Sequence, residues 1–307
     1  MYPVSLLKIA RSKKCTMPHD HVYGLLGFFG PRFCDLLQPS YHSGFSDVYK
    51  DALLILTHIT NRLELLKFCG IPKDSLIAPS WVPDWRTVEV GNLWFLDRGM
   101  QASGMAKADF DVLESDTLAA SGVRCGTVST VLPMLAGDDC ISNLGVMMSH
   151  YPEHARYKTG VTMAEAWVRV LFRGTFFERF PDFSIPDFES HKSSVRDAIA
   201  SVPGADTHGD RLHTCFDELT LDIWKHGRLF CSDAGYIGFG PSTIRQGDVV
   251  CVLLGLDVPL VVRPMGDQKH EVVGPAYVYG LVDGEALVGD LPPNYTCLLY
   301  TSDAADE

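Results

Sequence analysis

The spacing of apolar residues changes three times along this chain, from helical to alternating, back to helical, and finally to a run of short strands. Leu6, Leu7, Ile9 and Ala10 give a partial apolar face to an N-terminal helix that ends before Cys15-Thr16-Met17-Pro18. Pro18 suits the first turn of a new helix, where its missing N–H is not needed. That helix carries Val22, Tyr23, Leu25 and Leu26 and stops at Gly27 or Gly30. After a turn-rich stretch from Gly30 to Gly44, the clearest helix runs from Asp47 to about Lys67, with Ser46 placed to cap it. Val48, Ala52, Ile55, Leu56 and Ile59 share one face of it. Gly70 and Pro72 close it.

Ser80-Trp81-Val82-Pro83-Asp84-Trp85 cannot be a regular helix, because Pro83 pushes Val82 into an extended conformation. Its two indoles are expected to plug a core boundary. The period then drops to two: Phe110 and Val112, then Leu118 and Ala120 beyond Glu114-Ser-Asp116, predict a hairpin, and Val123, Val128 and Val131 extend it. A helical pattern returns from Met134 to about Gly174, where Thr162-Met-Ala-Glu165 forms a capping box ahead of Ala166, Trp167, Val170 and Leu171. Residues 181–210 are rich in Pro, Ser, Asp and His and read as a flexible insertion with one short helix from Ser193 to Ser201. Leu212, Cys215, Phe216, Leu219 and Ile223 predict a further amphipathic helix.

Arg228 to Leu287 then reads as one compact antiparallel β module. Strands are expected at 228–231, 236–239, 249–254, 258–263, 270–273 and 276–279, before a short acidic helix at 283–287. Short strands punctuated by Gly and Pro suit a small barrel, whose closure would remove exposed edges. The predicted class is α+β: a helical segment with a β hairpin, followed by a small antiparallel β-barrel-like module. The expected divisions are 1–180, the insertion at 181–210, and helix plus barrel at 211–290. The end, 297–307, resembles a translated sequencing-library adapter, so the natural chain is expected to continue differently after about Thr296.

Composition narrows the function classes. Hydrophobic residues make up 46% and charged ones 21% of the 307 residues, enough apolar area for a sizeable core. The net charge of −12 argues against nucleic acid, which needs clustered Lys and Arg to displace counterions. The one dense basic cluster is Arg11, Lys13 and Lys14, read as a solvated helix face, and the β module holds four basic and seven acidic residues. Nine cysteines at 15, 34, 69, 125, 140, 215, 231, 251 and 297 are odd in number and lack C-x-x-C spacing, which suits small buried thiols in a reducing cytosol. With no signal peptide and no run of roughly 18 apolar residues, the chain reads as soluble and cytoplasmic, with no membrane span.

Candidate chemistry is sparse. Cys15, His19, Asp20 and His21 offer thiolate and imidazole for zinc, but no second ligand pair stands at finger-like spacing. The plainer expectation is a helix start with solvent-facing histidines; His208 and His213 carry less weight. No G-x-S-x-G elbow is present, and Glu64, Glu89 and Glu114 form no evident pair with separated pKa values. Gly235-Tyr-Ile-Gly238-Phe-Gly240-Pro241 lacks the G-x-G-x-x-G order and a following helix, so its glycines read as turn formers. Tyr236, Phe239, Tyr277 and Tyr279 could stack on a base or a proline, yet in so small a module they read as core or rim.

Taken together, these segments resemble one family. Cys15-Thr-Met-Pro18-His-Asp20-His-Val22-Tyr23-Gly-Leu25-Leu26-Gly27 resembles a segment of fungal heterokaryon incompatibility (HET) domain proteins that lies downstream of the HET domain proper. Tyr41 and Ser46-Asp-Val48-Tyr49-Lys-Asp51 are similar to the helix that follows it, and Ser80–Trp85 to the family's S-W-V-P-D-W. Ala102-Ser103-Gly104 and the Leu118–Val128 strands look like the next landmarks. Gly235-Tyr236-Ile-Gly238, Gly247-Asp248-Val249-Val250, Val273-Gly274, Tyr277-Val278-Tyr279-Gly280 and Gly284-Glu285-Ala286 resemble its C-terminal module.

The N-terminal signature of the HET domain itself is absent, so Met1 reads as an internal methionine or the start of a truncated gene model. The resemblance implies a role in nonself recognition between hyphae and in cell death after incompatible fusion, with protein partners that are self copies or incompatibility factors. HET domains resemble TIR-type signalling domains, and any NAD cleavage this implies would reside in that absent domain. No catalytic, cofactor-binding or metal-binding residue is carried onto this chain. The rival expectations are a metal-dependent hydrolase built around Cys15, His19 and His21, and a stand-alone peptide-binding β module.

Overall fold

The computed structural model describes residues 5–299 apart from 8, 10–12, 71–78, 87–98, 114–115, 136–142, 144, 146–154, 201–215, 217, 267–268 and 289–294. The described helices are α1 (Asp20–Tyr23), α2 (Pro31–Leu36), α3 (Phe45–Thr60), α4 (Met163–Leu171), α5 (Phe188–Ala200) and α6 (Glu218–Lys225). The described strands are β1 (Phe110–Leu113), β2 (Thr117–Val131), β3 (Gly227–Ser232), β4 (Ile237–Pro241), β5 (Val249–Leu253), β6 (Leu260–Gly266), β7 (Lys269–Pro275), β8 (Tyr277–Val278) and β9 (Tyr295–Leu299). No helix among the described residues is long and apolar enough to cross a membrane.

Helix α3 buries Val48, Ala52 and Leu56 of the expected stripe, but its buried face turns toward Tyr49, Leu53 and Thr57, which leaves Ile55 and Ile59 half-buried. Its ends differ from expectation. Gly44, not Ser46, is the N-cap, and the helix stops at Thr60 rather than near Lys67 because Asn61 adopts the left-handed conformation at φ 54°. Beyond it, Leu63 N–H donates to Gly255 O at 2.8 Å and Glu64–Phe68 tightens into a 3-10 turn. Arg62 donates to Gly104 O, Ala106 O and the Asp257 carboxylate, so tertiary partners end this helix.

The capping box at Thr162 forms as predicted: Thr162 Oγ1 accepts from Glu165 N, and Glu165 Oε2 accepts from Thr162 N. The helical pattern expected from Met134 falls largely on residues outside those described, and the helix opened at Thr162 ends close to the expected Gly174. Residues 155–162 are a tight turn closed by an Arg156–Thr162 bridge, and α4 fills only 163–171. Helix α5 begins earlier than the Ser193 expected for it. The short acidic helix is a 3-10 turn at Glu285–Leu287.

All nine strands join one sheet in the order β5-β6-β7-β9-β2-β3-β4-β8, with β1 also on β2. The hairpin pairs Phe110 with Ala120 and Val112 with Leu118. Strand β2 is long enough to serve four neighbours. Leu118 pairs β1 and β9 at once, and Gly122 pairs β9 and β5, so β1 and β5 share one edge and β9 and β3 the other. Because β5 returns to β2, the sheet curls back on itself. The β3-β4-β8 arm extends from β2 outside that curl. Pairings are antiparallel except β7 with β9, which is parallel. The sheet therefore draws on β1 and β2, far upstream of Arg228, and on β9, which includes residues 297–299 of the adapter-like tail.

Strands β4 and β5 are buried along their whole length. Alternate residues explain why. Val249, Cys251 and Leu253 face the main core shared with the helices, whereas Val250 and Val252 face a smaller core inside the curl with Phe230, Val261, Val273 and Val278. Two covered faces account for near-continuous apolar runs where one-faced strands would alternate. A Cβ at Gly122 would lie 2.4 Å from Val252 O, so only glycine permits this approach of β2 to β5. Trp81 and Trp85 are fully buried, as expected of a core plug, and Trp81 Nε1 donates to Asp116 O.

Candidate functional site

A cavity of about 440 Å³ opens where the end of β2, strand β3, the β3–β4 turn and the start of α4 meet. Pro133 has no N–H to continue the ladder, and β2 ends at Val131, with Leu132 N–H donating to Leu229 O. Met163 and Trp167, one helical turn apart on α4, face the gap from the other side. Leu132, Leu135, Leu229 and Ile237 complete an apolar wall.

Its two serine hydroxyls are engaged with backbone. Ser129 Oγ donates to Cys231 O at 3.1 Å, and Ser232 Oγ accepts from Tyr236 N at 3.0 Å. Among the described residues, no Asp, Glu, His, Lys or Arg lines the cavity. At the rim, Lys158 Nζ sits 3.4 Å from the centroid of the Tyr236 ring. Tyr157 stacks on Tyr279 at 5.4 Å, donates to Tyr279 O and accepts from Ile237 N. Burial raises the Tyr157 phenol, keeping it a neutral donor.

The residues that looked chemical in the sequence lie elsewhere and are held by structural bonds. His19 and His21 are buried, not solvent-facing as expected: His19 Nε2 bonds Ser43 O at 2.9 Å, and its ring packs on Tyr23 and Tyr41. Asp20 accepts from Tyr41 OH at 2.7 Å, and this bond raises the Tyr41 phenol. Tyr23 OH donates to Ser40 O and accepts from Ser40 N, while Tyr49 OH donates to Pro18 O. Among the described residues, no three His, Cys, Asp or Glu side chains converge as a metal-holding group.

Glu64 lies 3.8 Å from Arg62 and near Asp257, and burial raises its carboxyl in this structural cluster. Glu89, Glu114, His208 and His213 lie outside the described residues. Phe239 and Tyr277 are core, and Tyr236 and Tyr279 are half-buried rim. The described cysteines 15, 34, 69, 125, 231 and 251 form no disulfide, and burial pushes the Cys125 thiol up to about 11. Sequence reading missed Ser129, Leu132, Met163, Trp167 and Lys158 as one site. They come from separate segments, and no periodicity links them.

Residues 175–290 match the model of the Het-6 β-barrel domain. An 81-residue segment is 43% identical to heterokaryon incompatibility protein 6, OR allele, of Neurospora crassa. That alignment covers 25% of this chain and 12% of the relative. No solved structure matches. The matched barrel domain includes α5, α6 and β3–β8, while β1 and β2 of the same sheet lie upstream of it.

Proposed function

We propose that this chain, which carries the Het-6 β-barrel domain of fungal heterokaryon incompatibility (HET) proteins, is a non-catalytic accessory region of such a protein. In this reading it acts in the cytoplasm through protein partners, either self copies or incompatibility factors, in nonself recognition and the cell death that follows incompatible fusion. Any NAD-cleaving chemistry belongs to the HET domain.

The observation that supports it is the make-up of the cavity. Carbon surface and two serine hydroxyls already bonded to backbone suit recognition, and among the described residues no lining side chain is a carboxylate or an imidazole that could move a proton. The test has two arms. Purified full-length chain incubated with NAD should release no nicotinamide above buffer; turnover would defeat the non-catalytic reading. The chain expressed in a fungal strain should change the outcome of fusion with an incompatible tester. An unchanged outcome would count against a role in incompatibility.

A further inference from the structure

We propose that the cavity binds a small molecule with an apolar body and a carboxylate, the body lying against the α4 and β3 walls and the carboxylate on Lys158. This goes beyond the protein-partner reading and does not depend on it.

Volume and lining set the body. About 440 Å³ falls within the range of small-molecule sites, roughly 300–1,000 Å³. Met163, Trp167, Leu229 and Ile237 present carbon, and the serine hydroxyls nearby are committed to backbone. An apolar group gains by leaving water there, whereas a strongly polar one would find few partners.

The rim sets the charge. Lys158 is exposed, its stem passes 3.8 Å from where a Cβ on Gly235 would stand, and its ammonium lies over the Tyr236 ring. Both Gly235 and Tyr236 line the cavity, so this cation stands at its edge. A ring face takes up one side of an ammonium and leaves N–H donors over. No described carboxylate forms an ion pair with Lys158, although acidic residues outnumber basic ones 38 to 26. The acid on the neighbouring turn, Asp233, is engaged: its Oδ1 accepts from Thr127 N at 2.7 Å, and this bond lowers its carboxyl. Arg124, which donates to Thr127 Oγ1, adds positive charge to the same end. A carboxylate needs one such cation, whereas a phosphate would call for a cradle of backbone donors that this hairpin does not form.

The test uses the full chain and N-phenyl-1-naphthylamine, a neutral probe that fluoresces in apolar sites. Decanoate should displace it at about tenfold lower concentration than decanol, the difference being one charge-assisted contact. Lys158→Gln, at an exposed position, should erase that preference and leave decanol unchanged. Met163→Trp, at a half-buried position, should narrow the cavity and weaken both. Equal displacement by decanoate and decanol, a preference that survives Lys158→Gln, stronger displacement by decyltrimethylammonium, or no displacement at all would each overturn the proposal.

Discussion

The Cys15–Gly27 segment and the β3–β4 hairpin make opposite use of their residues. The first is dense in titratable and aromatic groups, and its side chains fasten their own neighbourhood: His19 to Ser43, Tyr23 to Ser40, Asp20 to Tyr41. The hairpin is poor in charge and reads as packing, yet its turn closes one side of the cavity and supports the Lys158 ammonium. The difference teaches that a cluster of potential ligands in sequence marks a site only if a space is left for something to bind. Around His19 the space is filled by protein. At the hairpin it is left open, because β2 ends at Val131 and α4 begins across the gap.

The contrast can be broken or sharpened by substitution. The largest effect should come from Phe230→Ala, which empties the centre of the core inside the curl: about 3–5 kcal/mol of unfolding free energy, measured by urea denaturation with an unchanged slope. A loss below about 1 kcal/mol would mean that this core does not hold the hairpin. Asp248→Ala should cost about 3 kcal/mol. It removes the acceptor for Arg263 Nε and Nη2 and for Arg245 N, leaving a largely buried guanidinium uncompensated. Adding Arg263→Met should recover part of that loss in a double-mutant cycle; strict additivity would refute the coupling.

In the N-terminal segment, Tyr23→Phe should cost about 1–2 kcal/mol, since it leaves the Ser40 N–H and carbonyl without their shared partner. A loss as large as that of Phe230→Ala would erase the distinction between fastening and core. Thr162→Ala should cost about 1 kcal/mol by opening the capping box.

The smallest effect is a pH dependence with a definite sign. Burial raises the Glu271 carboxyl, with Asp248 adding to the rise and Arg263 opposing it. The folded state therefore holds that proton more tightly than the unfolded chain, and ionising Glu271 reduces stability as pH climbs from the ordinary carboxylate range through the raised value. Glu271→Gln should stabilise the protein at neutral pH, and the gain should fade as pH falls below that range; thermal midpoints across pH 3–8 (about) would check it. Glu165, lowered chiefly by the Thr162 N–H, has the opposite sign: its contribution is present above the ordinary range and is lost as pH falls through the lowered value.

Much of the fold was legible because it depends on local pattern. The α3 helix with Val48, Ala52 and Leu56 on its buried face, the Thr162 capping box, the 110–120 hairpin and every strand from β3 to β8 are set by residue spacing and turn chemistry, which act over a few residues. Element ends were less legible. Helix α3 stops at Thr60 because Asn61, Arg62 and Leu63 turn to partners at Gly104, Ala106, Gly255 and Asp257, the last two almost two hundred residues away. The sheet order was not legible either, since β2 gains β5 on one edge and β3 on the other only when the chain folds back.

By itself, then, the sequence determined the α+β class, the strand run and the family resemblance, since short-range periodicity and motif order carry that information. Tertiary structure alone decided that the histidines turn inward, that the barrel-like sheet curls back through β2 and carries the β3-β4-β8 arm, and where the cavity lies. Each of these depends on which distant surfaces meet, and a void appears only where two packed elements fail to touch.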